Sequence, residues 1–95
     1  MSEPVVFKKE MAITHQDFTR LLTRAYVGKC IEVKKRKICI LDGKNKVEIT
    51  LSEESERKIA LITLPVTHVK FTLFGYENAE KEMERVERHF QRGGG

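Results

Sequence analysis

The chain has 95 residues, 40% of them hydrophobic and 34% charged, with a net charge of +4 and two cysteines. That is enough for one domain with one modest core, and the sparse cysteines fit a reducing, cytoplasmic setting rather than a disulfide-built secreted scaffold. No apolar run approaches the ~18 residues that mark a membrane span, so a soluble protein with no membrane partner is expected.

Residues 1–4 read as a loose arm. Val5, Val6 and Phe7 can begin a strand, but Lys8, Lys9 and Glu10 interrupt the alternation, so an edge strand or ordered arm is expected there. A first helix is predicted over about 15–27. Thr14 is a suitable N-cap with Asp17 three residues on. Phe18, Leu21, Leu22 and Ala25 then share one helical face. Gly28 can adopt the left-handed conformation that closes a helix.

Strands follow. Ile31 and Val33 alternate with Glu32 and Lys34, and Ile38 and Ile40 alternate with Cys39 and Leu41. A reversal across Lys34–Lys37 pairs Val33 with Ile38 and Ile31 with Ile40 on one face. The turn chemistry of Asp42-Gly43-Lys44-Asn45 then pairs Ile40 with Val47 and Ile38 with Ile49. Ser52–Arg57 reads as a polar break with room for a helical turn. Ile59–Leu64 reads as a fourth strand ended, or turned, at Pro65, and Val69–Leu73 as a fifth. A second helix is predicted over about 77–92, with Ala79, Met83, Val86 and Phe90 on one face. Acids at its start and bases at its end complement the helix dipole.

These elements imply an α+β two-layer sandwich, an antiparallel meander of four to five strands with both helices on one face. Residues 1–95 form a single domain, with a glycine tail at 93–95. The other sheet face carries Glu32, Lys34, Lys37, Cys39, Glu48 and Thr50, and is expected to be wet or reserved for a partner.

Charge is the first pointer to function. Residues 1–46 hold 11 Lys or Arg against 5 Asp or Glu, and residues 47–95 hold 7 against 9. Lys34, Lys35, Arg36 and Lys37 crowd one predicted hairpin tip, and Lys29, Lys44 and Lys46 are expected on the same side. Such a cluster suits phosphates or another anionic surface. The neighbouring strands lack the aromatics that a single-strand or RNA reader stacks on bases, so any nucleic-acid partner would be bound without sequence reading. A protein partner fits the same surface.

The ending is the second pointer. Arg92-Gly93-Gly94-Gly95 resembles the glycine terminus of ubiquitin-like sulfur carriers. The resemblance implies a carrier acting through the carboxylate of Gly95, with Gly94 beside it. It covers four residues. Carriers of that kind resemble a β-grasp whose last strand feeds the tail, whereas here a helix precedes the glycines.

Cys30 and Cys39 sit on one sheet face but diagonally offset, too far apart for an unstrained disulfide. His15, His68 and His89 are scattered and make no zinc-ligand spacing. The acids Glu53, Glu54 and Glu56 lack the pattern of an EF-hand loop. No catalytic, metal or cofactor motif is present. The expected function is therefore that of a small accessory or binding module for an anionic or protein partner, with the glycine-terminal carrier as the alternative.

Overall fold

The computed structural model describes residues 3–93. Its order is β1 (Val5–Met11), α1 (His15–Ala25), β2 (Cys30–Lys34), β3 (Lys37–Asp42), β4 (Asn45–Leu51), β5 (Ser55–Ile59), β6 (Ile62–Phe74) and α2 (Ala79–Gly93). All pairings are antiparallel. The sheet runs β1-β6-β4-β3-β2, and β5 pairs with β6 off that path. The fold is an α+β two-layer sandwich with six strands, one more than the upper expectation. No helix among the described residues is long and apolar enough to cross a membrane.

Thr14 caps α1, its hydroxyl accepting the Asp17 N–H at 3.1 Å. The helix ends at Ala25, two residues before the expected limit, and Gly28 follows at φ +81°. On α2 the cap is Asn78, whose side-chain oxygen accepts the Lys81 N–H at 3.1 Å. The start therefore lies at Ala79 rather than Glu77. The helix continues through Gly93.

The helices bury Phe18, Leu21, Leu22 and Ala25 of α1 and Ala79, Met83, Val86 and Phe90 of α2. They pack on Ile38 and Ile40 of β3, Val47, Ile49 and Leu51 of β4, and Val69, Phe71 and Leu73 of β6. Phe18 is the centre. Its ring stacks on Phe90 at 5.0 Å and tilts against Phe71 at 6.0 Å. The expected register holds at every named pair: Val33–Ile38, Ile31–Ile40, Ile40–Val47 and Ile38–Ile49. On the edge strand β2, Ile31 packs partly against this core while Val33 stays half exposed.

Two expectations fail between β4 and β6. Ser52–Arg57 is not a helical turn, because β5 begins at Ser55. Ile59–Leu64 is not one strand either. The chain reverses at Ala60 and Leu61, and Pro65 lies inside β6 opposite Glu56. There β6 has a neighbour on one side only, since β1 pairs from Thr67 onward, and a strand tolerates a missing N–H in such a place.

β4 and β5 act as one long strand along β6 with a bulge between them. From Leu51 to Ser55 the chain advances four residues, while their partners Val69 and Val66 are three apart. One extra residue bends the strand. The start of α1 fills that bend. The His15 N–H donates to Glu54 at 2.6 Å and its ring Nε2–H to the Ser52 carbonyl at 2.7 Å. Beyond the bulge, β5 and the first half of β6 project as a two-stranded arm. The 13-residue β6 accounts for most of the 49 Å long axis of the molecule.

Candidate anion-binding face

Strand alternation leaves one sheet face under the helices and the other open. On the open face the pairing Lys34–Lys37, Lys37–Thr50, Thr50–Lys70 and Lys70–Lys8 forms a single row across β2, β3, β4, β6 and β1. Four strand spacings make it about 19 Å long. All four lysines are exposed. Like charges directly opposite each other destabilise a sheet, and this row contains two such pairs. Lys34 is partly neutralised by Glu32 at 3.1 Å. Lys8, Lys37 and Lys70 make no ion pair among the described residues.

A shallow groove of about 480 Å³ runs along the β1 end of the row, lined by Lys8, Glu10, Thr50, Ser52, His68 and Lys70. The next row inward is acidic: Glu32, Cys39 and Glu48 lie in register with Thr72. The row after that ends in Lys46 over the Phe74 ring at 4.6 Å. Cations and acids thus alternate as stripes, and within the lysine row Lys8, Lys37 and Lys70 are the unpaired members among the described residues.

The structure divides the residues expected to bind. Lys34 and Lys37 are in the row, with Lys35 and Arg36 in the two-residue turn beside it; Lys35 takes φ +34° and Arg36 reaches Glu53 at 3.5 Å. Lys29, Lys44 and Lys46 do not join them. They lie at the opposite end of the strands, around the Gly43-Lys44 turn, because each hairpin reverses the chain once. Lys29 is also paired with Asp42 at 3.0 Å. Lys8 and Lys70 were not among the expected binders. Lys70 is recoverable from its place between Val69 and Phe71, whereas Lys8 needs the β1–β6 pairing.

The shifted acid–base groups lie elsewhere, in a clasp that joins α1 to α2 and, through Tyr76, the approach to α2 to the end of β3. The Tyr26 hydroxyl donates to Glu82 at 2.8 Å. Arg85 holds the same carboxylate through two bonds at 3.0 and 2.8 Å and donates to the Ala25 carbonyl at 2.7 Å. Its guanidinium lies 4.9 Å from the Tyr26 ring centre. Burial, then the bond to Glu82, pushes the Tyr26 phenol up, and Glu82 likewise raises Arg85. Beside them the Tyr76 hydroxyl donates to Asp42 at 3.1 Å. Lys29 and then Tyr76 hold Asp42 below the ordinary carboxylate range, while burial raises Tyr76. The groups are satisfied by one another, which makes the clasp a structural tether rather than a poised acid or base.

Cys30 and Cys39 are free, one on each strand of the β2–β3 hairpin. Among the described residues there is no group of three His, Cys, Asp or Glu placed to hold a metal ion. Gly94 and Gly95, on which the carrier alternative rests, lie outside the described residues. Compared with known proteins, the chain matches no family model and no curated protein.

Proposed function

We propose that this chain is a non-enzymatic binding module that lays its open sheet face on the phosphate backbone of a nucleic acid. The lysine row carries the reading. Lys8, Lys37 and Lys70 are exposed, in register and without acidic partners, an arrangement that costs folding energy and is offset when anions lie along it. Phosphate contacts position a ligand without reading bases, and the row itself holds no aromatic to stack on them. The net charge of +4 favours the same partner over long range. Free Cys30 and Cys39 suit the reducing cytoplasm, where such a partner is plentiful.

The test is the salt dependence of binding to a mixed-sequence duplex. Four neutralised phosphates give a log–log slope of about −3.6. Replacing Lys8, Lys37 and Lys70 together with Gln should reduce it to about −1 without unfolding the domain, since all three are exposed. Salt-independent binding, or none, would refute the reading.

A further inference from the structure

The arm combines three features that the sheet face does not explain. Its apex is apolar and bare: Leu61 is 101% exposed, Ile62 60% and Ile59 53%. The apex is a two-residue turn with Ala60 at φ +55°, a conformation that side chains rarely adopt. Beyond the β1 pairing the arm is a lone two-stranded ribbon, marginal by itself in water and open along its edges.

The apex also has an orientation. Ile59 faces Ile62 and Arg57 faces Leu64, so these four share one face of the arm. Arg57 bonds to Glu10, which lies opposite His68 on the open face of the main sheet. The apolar side of the arm therefore looks the same way as the lysine row. From Lys70 to Leu61 the strand covers about 30 Å, close to the ~34 Å of one duplex turn.

Resting on the nucleic-acid reading above, we propose that the partner is duplex DNA and that the arm is a wedge. The lysine row holds the backbone while the ribbon enters a groove roughly one turn away. Leu61 then inserts between base steps and kinks the duplex, as apolar side chains do when architectural proteins bend DNA. Exposed Arg57 and Lys58 sit behind the apex, within reach of the flanking phosphates.

The experiment measures energy transfer between dyes on the two ends of a short duplex, with affinity and salt slope read in parallel. The full chain should bring the ends together. Leu61→Ser, and separately Ile59→Ser with Ile62→Ser, should abolish that change and weaken binding on the order of tenfold, with the salt slope and thermal unfolding unchanged. A Leu61→Ser protein that bends DNA as the parent does would overturn the wedge and leave the backbone reading standing. A parent that binds no duplex would remove both. Leu61-dependent binding to vesicles of anionic lipid, or Leu61-dependent dimerisation, in a chain that leaves DNA straight would also overturn the wedge.

Discussion

Replacing Tyr26 by Phe tests the clasp through its pH dependence. Tyr26 is 3% exposed, and its hydroxyl donates to a carboxylate that Arg85 also holds. A hydrogen bond to a charged group contributes about 1.5–3 kcal/mol. Glu82 keeps both bonds from Arg85 in the variant, so the lower end, about 1.5 kcal/mol, is expected at pH 7. The alkaline limb supplies a second number. The folded phenol titrates far above its ordinary value of 10.0. The raised value means that the stabilisation is fully present below pH 10. Above it the unfolded chain loses the Tyr26 proton while the folded chain keeps it, so stability falls by about 1.4 kcal/mol per pH unit from this group. The advantage of the parent over Tyr26→Phe should therefore shrink above pH 10 and vanish near pH 11. Tyr76 is present in both proteins, and the difference between them reads the Tyr26 hydroxyl together with its contact to Tyr76. Urea unfolding followed by far-ultraviolet circular dichroism at pH 7, 10 and 11 reads the difference. A gap that stays constant from pH 7 to 11 would refute the buried, carboxylate-bound phenol.

Gly75→Ala should cost about 1–3 kcal/mol, because Gly75 has φ +85° and an added Cβ would stand 2.8 Å from Asn45 Oδ1; a midpoint shift in chemical unfolding checks it. On the acid side, Asp42 has its carboxyl lowered first by Lys29. Its contribution is present above the unfolded value of 3.8 and lost as pH falls further. Asp42→Asn should therefore be less stable than the parent at pH 6, with the gap narrowing below about pH 4. Unfolding curves at pH 6 and pH 3 decide this.

The β2–β3–β4 register could be read from the sequence because alternation and two short turns leave one pairing that puts Ile31, Val33, Ile38, Ile40, Val47 and Ile49 on one side. Ile59–Leu64 could not be divided in the same way. Its turn residues are Ala60 and Leu61, which lack the Gly, Asn or Asp that announces a positive φ. Pro65 drew the break to itself. The lysine row shows the same limit. Lys34 and Lys37 belong to one hairpin and are local. Lys8 and Lys70 join them only through the long-range pairing of β1, β6 and β4. Local crowding grouped Lys29, Lys44 and Lys46 with the Lys34–Lys37 tip, whereas they lie at the opposite end of the strands. The clasp was likewise out of reach, since Tyr26 and Glu82 are 56 residues apart.

Anion binding along the row that crosses five strands is open to direct observation. The most direct measurement is amide chemical-shift mapping of the full chain as a duplex oligonucleotide is added at low salt. Shifts should be concentrated at Lys34, Lys37, Thr50, Lys70 and Lys8 and be reversed by raising the salt. Shifts confined to the Lys29 and Lys44 end or to the helices, or a spectrum unchanged at saturating oligonucleotide, would contradict it.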